Sequence, residues 1–226
     1  MTPSTVINDD PLVELAHVDL QFGNLLVLQN VSIKIYRGEF VVLHGSTGCG
    51  KSTVLRLIAG LLLPTQGAVR VADDDVQNFS DLQRRWLRRS IGLMMQNSPL
   101  LDDRSILENV MLPALAAGTS ISEARQRAFA ALARCHMSDW AYEMPNELSA
   151  GQRQQVCLAR AVVNNPVLIL ADEPAAHLDA ANAQMLINLL GEFVNAGVTV
   201  IMATHLLLVP QGTPYREIKF AAAQEH

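Results

Sequence analysis

The chain has 226 residues, half of them hydrophobic and 17% charged, with a formal net charge of −5. This argues against a nucleic-acid partner, which calls for a basic surface, and it allows a sizeable buried core. No apolar run reaches the roughly 18 residues that span a bilayer. Met1 to Asp10 is polar and acidic, with no leader pattern. Cys49, Cys135 and Cys157 lie far apart without a C-x-x-C pair. A reducing compartment is therefore expected, with Cys135 and Cys157 as ordinary buried thiols.

Residues 1–10 read as a loose tail. Phe22-Gly23 falls in a loop between the first strand-like pieces. An aromatic there offers a π-face to a base, although a core or turn phenylalanine is the plainer reading. Val31 to Ile35 alternates apolar and polar, the period of a half-buried strand. After the turn Arg37-Gly38-Glu39, Phe40 to Leu43 leads into Gly45-Ser46-Thr47-Gly48-Cys49-Gly50-Lys51-Ser52-Thr53. This is G-x-x-x-x-G-K-S between a strand-type run and a helix-type run, the context a phosphate-binding loop requires. Glycines let successive amides turn inward around an anion, and the helix that follows adds its unpaired N–H groups. Lys51 suits the β- and γ-phosphates, and the Ser52 hydroxyl suits Mg²⁺.

Pro64-Thr65-Gln66-Gly67 is a turn, and Ala68 to Val71 alternates again. These pieces suggest a mainly antiparallel sheet beside a nucleotide core. Asp81 to Arg89 is helical in pattern, with Leu82 and Trp86 on one side and Arg84, Arg85, Arg88 and Arg89 mostly on the other. A solvated basic face is the plain reading, and a contact with acidic lipid or a partner is the alternative. Ile91 to Met95 reads as a strand that ends at Gln96, and Asn97 to Leu101 as loop.

Residues 102–165 are rich in helix formers, with pieces at Ser105 to Leu112 and at Ser122 to Arg134, the latter capped by Ser120 or Ser122. They read as a helical insertion between two strands of the core sheet. Leu148-Ser149-Ala150-Gly151-Gln152 precedes helical Arg153 to Asn164. Ser149 is a good N-cap, and the small residues after it leave the first amides open to an anion. An ordinary capped helix fits those five residues as well.

Val167 to Ala171 is a continuous apolar run, the mark of a parallel strand buried on both faces. It ends in Asp172-Glu173. Two carboxylates there are costly without a cation, and Mg²⁺ beside the phosphate loop supplies one. Asp172 then suits the metal and Glu173 the base for the attacking water. Ala183 to Val194 is an amphipathic helix stopped by Gly197. Val198 to Ala203 is a further buried strand ending in Thr204-His205, a histidine that is either structural or a γ-phosphate contact. Glu217 to Phe220 is strand-like.

Phe22, Gly45–Thr53, Gln96, Leu148–Gln152, Asp172-Glu173, Leu178-Asp179 and His205, in this order, resemble the ATP-binding subunits of ABC transporters over nearly the whole chain. The resemblance implies an α/β fold: a P-loop NTPase with a mainly parallel core sheet, an antiparallel β subdomain and an inserted α-helical subdomain. One domain over 1–226 is expected, with 11–96 and 166–226 forming core plus β subdomain and 97–165 the helical part. Phe22 is then the adenine-stacking aromatic. Gln96 touches Mg²⁺ and water and senses a membrane partner. Ser149, Ala150, Gly151 and Gln152 contact ATP held by a second copy, Asp179 lies at the dimer seam, and His205 is the switch histidine.

Leu100 to Ser105, Ala159 to Asn164 and Gly197 to His205 are similar to the cell-division FtsE type, while the LolD and MacB types share much of the rest. The implied role is ATP hydrolysis on the cytoplasmic face of a bacterial inner membrane. ATP binding is expected to drive homodimerisation, and the cycle to act on an FtsX-like permease. The alternatives are lipoprotein release or export, or an ATP-gated scaffold that hydrolyses little. Several positions depart from the family pattern: Ala150 for a signature glycine, Gln155 for arginine, Ala175 for threonine or serine, His177 for a small polar residue, and Leu206 for aspartate. The C-terminal hairpin reads as abbreviated. Lys51, Asp172, Glu173 and His205 are all retained, so hydrolysis, slowed by these departures, is expected.

Overall fold

The computed structural model describes residues 10–96 and 99–220. The expected loose tail and the start of the loop at Asn97 lie outside these residues. The chain opens with an antiparallel hairpin, β1 (Val13–Phe22) and β2 (Leu25–Ile35), in which Val13 faces Ile35 and Phe22 faces Leu25. Phe22 is thus the last residue of a strand rather than part of a loop, and β2 begins well before the alternation at Val31. β4 (Gln66–Val71) and the short β5 (Asp74–Asp75) complete a four-stranded antiparallel sheet in the order β2-β1-β4-β5.

A second sheet holds β3 (Phe40–Gly45), β6 (Gly92–Met94), β7 (Leu168–Asp172), β8 (Thr199–Thr204) and β9 (Arg216–Phe220). Its order is β6-β7-β8-β3-β9, and every pairing is parallel. Parallel strands covered on both faces need apolar residues throughout. Here Leu168 and Leu170 join one core and Ile169 and Ala171 the other. The first core is shared with the antiparallel sheet and α1 (Lys51–Ile58). The second is shared with α3 (Ile106–Ala116), α4 (Ile121–Arg134), α5 (Ala150–Val162) and α6 (Ala180–Asn195).

α3 to α5 fall in sequence between β6 and β7, which are neighbours in the sheet. The insertion read from the sequence is present. Ser105 and Ser120 cap α3 and α4. α3 runs four residues beyond the expected end at Leu112, with Pro113 inside it. Proline removes one helical hydrogen bond, but Val110, Met111 and Ala114 are buried across that turn, and their burial offsets the loss. α2 (Asp81–Ser90) buries none of its side chains, and Arg89 lies over the exposed Trp86 ring. Among the described residues no helix is long and apolar enough to cross a membrane.

Candidate nucleotide site

The phosphate loop joins β3 to α1, as its sequence context requires. Gly50 stands at the α1 N-cap with φ 95°, a conformation that L side chains rarely adopt, and a Cβ there would lie 2.6 Å from Leu28 Cδ2. Because Leu28 lies on β2, the hairpin that carries the half-exposed Phe22 packs on the loop. No side chain caps α1, so its first amides remain available to an anion.

Lys51 is only 5% exposed. Its Nζ donates to the carbonyls of Gly45 (2.8 Å) and Ser46 (2.9 Å) and lies 3.7 Å from Cys49 Sγ. Among the described residues no carboxylate forms an ion pair with it. A buried ammonium held by neutral oxygens suits an incoming anion. The lysine expected at the phosphates therefore rests against its own loop.

Ser52 Oγ donates to Asp172 Oδ1 at 2.7 Å. Asp172 is the last residue of β7 and 2% exposed, and its Oδ2 is buried with no hydrogen-bond partner among the described residues. Burial pushes this carboxyl above its ordinary range, while Ser52, Arg56 and Lys51 pull it back. An orphaned carboxylate oxygen beside a hydroxyl is a hard-oxygen donor set that fits Mg²⁺. No cluster of three His, Cys, Asp or Glu exists among the described residues.

Glu173 follows with φ 48°, an uncommon backbone for a side chain other than glycine. Its N–H donates to the Ala203 carbonyl at 2.8 Å, which fixes it to β8. Its Oε2 lies 2.9 Å from His205 Nδ1, with Glu173 largely buried and His205 43% exposed. Gln96 is exposed just beyond β6 and lines a cavity of about 560 Å³ with Asp172, Glu173, His177 and Arg153. Arg160 donates to the Pro99 carbonyl at 2.9 Å and ties α5 to the chain beyond Gln96.

The Ser149 hydroxyl caps α5 by accepting the Gln152 N–H at 3.3 Å, and Gln152 Oε1 accepts the Ser149 N–H at 2.9 Å. The amides of Ala150 and Gly151 are left over, and Ala150 has no positive φ that would demand glycine. Gly151 is buried against α6, where a Cβ would lie 2.9 Å from Asn182. Asp179 caps α6, accepting bonds from Asn182, and a weaker one from the Ala181 N–H, that hold its carboxyl below the usual range. α1 packs on β3, β4, β7 and β8, whereas α5 packs on α3, α4, α6 and β6. The two helix starts with open amides thus belong to different parts of the chain.

Two residues of this region carry no sequence signal. Asn109, fully buried, bonds the backbone of Leu101, Arg104 and Ser105 and shapes the loop before α3. His44, one residue before the phosphate loop, touches both Glu217 and the His205 carbonyl.

The family model described as ABC transporter matches residues 28–176, a span that takes in the phosphate loop, the α5 start and the Asp172-Glu173 pair. The chain belongs to the ABC transporter family. Among curated ABC relatives, the cell division ATP-binding protein FtsE of Escherichia coli K12 is 37% identical over 95% of this chain and 97% of its own length. The macrolide export ATP-binding/permease protein MacB of Nitrosomonas europaea is 40% identical over 86% of this chain but only 30% of its own length. An ABC cassette solved as a dimer in a post-hydrolysis state with ADP and Pi superimposes with TM-score 0.77 at 36% identity, over 86% of this chain and 88% of that one. The parallel sheet, antiparallel sheet and helices form the P-loop ABC fold, and this ABC protein is an ATPase.

Proposed function

We propose that the chain is an FtsE-like subunit in which ATP joins two copies, and in which hydrolysis releases them and moves a bound membrane protein. The observation that carries the ATP-dependent closure is the separation of the two open helix starts. The phosphate loop and the Ser149–Gln152 start lie in different parts of one chain, so a second copy is needed to bring one against the other's γ-phosphate. Residues 11–96 and 166–226 act as core and β subdomain, and 97–165 as the helical subdomain that carries Ser149–Gln152. Asp179, at the start of α6 beside that motif, lies at the seam.

Gly45–Thr53 cradles the phosphates, and Phe22 stacks on the base. Lys51 exchanges its loop carbonyls for phosphate oxygens, which costs little because those carbonyls are neutral. Mg²⁺, held by Ser52, Asp172 and Gln96, supplies charge neutralisation at the phosphoryl oxygens. Glu173 accepts the proton of the attacking water. In the resting chain His205 holds that carboxylate, so His205 must turn toward the γ-phosphate to free it. The transition between the ATP-bound pair and the released ADP-bound chains biases the partner, because the two states bind it differently.

The cell-division setting, with an FtsX-like permease on the cytoplasmic face of the inner membrane, is supported by the likeness to FtsE over almost its whole length. Export in the MacB manner is the second reading, favoured by 40% identity to the cassette portion of that protein. The test is Glu173→Gln in MgATP. Turnover should fall by about 10²–10⁴-fold, the usual contribution of a general base, and light scattering should detect a dimer. A monomer under all nucleotide conditions, with the membrane partner present, would overturn the closure. Recovery of a six-span importer from membranes as the stable partner would overturn the FtsE-like role.

A further inference from the structure

His44 is the last side chain before the phosphate loop, on β3, which lies between β8 and the edge strand β9. Its Nδ1 lies 3.0 Å from Glu217 Oε1 on β9, and its Nε2 lies 3.3 Å from the backbone carbonyl of His205. The ring is 28% exposed and the Glu217 side chain 24%. Both neighbouring atoms are acceptors, since a carbonyl oxygen never donates and an ionised carboxylate does not. The ring therefore spans β9 and the turn at the end of β8.

That turn is otherwise fixed on either side of His205. The Thr204 hydroxyl donates to the Leu206 carbonyl and accepts the Leu206 N–H, both at 3.1 Å. Glu173 N–H holds the Ala203 carbonyl. The charged neighbours of His44 are Glu217 and Lys219 on β9, His205 with its partner Glu173, and Lys51, which holds the carbonyl of Gly45 one residue on.

We infer that His44 is a positioning residue for ATP hydrolysis: its Nε2–H anchors the His205 backbone to the strand that begins the phosphate loop. The His205 side chain then turns between Glu173 and the γ-phosphate about a fixed point. This rests on His205 being the γ-phosphate contact.

Asparagine places its amide nitrogen near Nδ1 and glutamine places its own near Nε2, so the two variants separate the two bonds. The protein is assayed with its membrane partner present. His44→Asn keeps the Glu217 bond and loses the anchor, so kcat for ATP hydrolysis should fall about tenfold with KM little changed, as a misplaced catalytic group does. His44→Gln should rescue kcat to within about twofold, since its amide N–H supplies the anchor bond. Melting temperatures of both variants verify folding. His205→Ala is run alongside: full turnover there would remove the role of His205 itself. If His205→Ala is inactive but His44→Asn turns over like wild type, or the Asn and Gln variants are equally impaired while folded, the anchor is wrong and the His205 reading stands.

Discussion

At Asp172 a carboxyl is buried at the end of β7 with one oxygen bonded to Ser52 and the other unpartnered. Burial raises its pKa in the folded chain, and Ser52, Arg56 and Lys51 only partly oppose that. For an acid raised by folding, stability is greatest while it is protonated and falls as pH rises through the folded value. At neutral pH the ionised group thus destabilises the resting chain, and a cation at Oδ2 removes the penalty. Asp172→Asn keeps an acceptor for Ser52 and deletes the charge. It should raise the melting temperature of the nucleotide-free protein at pH 7 by roughly 2–4 °C, about 1 kcal/mol. It should also abolish the further rise that Mg²⁺ with ATP gives the wild type. Scanning calorimetry with and without Mg²⁺ checks both, and a lower apo melting temperature would refute the account. Glu173 shows a related trade between strain and function. Its positive φ is held by the bond to Ala203, and it aims the carboxylate at His205.

Among the elements, the contact between α5 and α6 links the two motifs nearest the proposed seam. Gly151 has no room for a methyl against Asn182, and Asn182 in turn is held by Asp179. Gly151→Ala should therefore cost about 1–3 kcal/mol of stability by overpacking. Asn182→Ala should relieve much of that cost, so the double variant is more stable than the sum of the singles predicts. Denaturant melts of the four proteins measure the coupling, and strict additivity would show that the helices do not meet there. Ala150 faces no such limit. It is exposed, helical and free of positive φ, so its amide survives the departure from glycine. The capping serines of α4 and α5 were legible because a hydroxyl before a helical run has a local function. Asn109 was not, since nothing near it in sequence says that its amide closes a loop.

For the whole molecule, closure makes a distinctive demand. If one chain's phosphate loop meets the other's Ser149–Gln152, ATP should slow amide exchange in both segments. The second segment should respond only when two chains pair. In Glu173→Gln with MgATP, exchange at Gly45–Thr53 and at Ala150–Gly151 should slow together. With Lys51→Ala, nucleotide affinity should drop about 100-fold or more, equivalent to one charge-assisted phosphate contact, and neither segment should respond. Protection of the loop alone at dimer-forming concentrations would count against the pairing. Hydrogen exchange read by mass spectrometry distinguishes these outcomes.

Unlike the β1–β2 hairpin, the phosphate loop with its flanking strand and helix, the buried strands β7 and β8 and the carboxylate pair after β7 were determined by the sequence alone. Each is written in a few adjacent residues: a glycine pattern, an apolar period, a charge that ends a buried run. Tertiary structure alone decided that Glu173 holds His205, that Gly151 rests on Asn182, and that His44 bridges Glu217 and the His205 turn. These contacts join residues far apart in sequence. They arise only when β3 takes its place between β8 and β9 and the parallel register sets Asp172 beside Ala203 and His44 beside Thr204. A lone histidine before a loop carries no period and no spacing, so its partners are fixed by the sheet order and not by its neighbours along the chain.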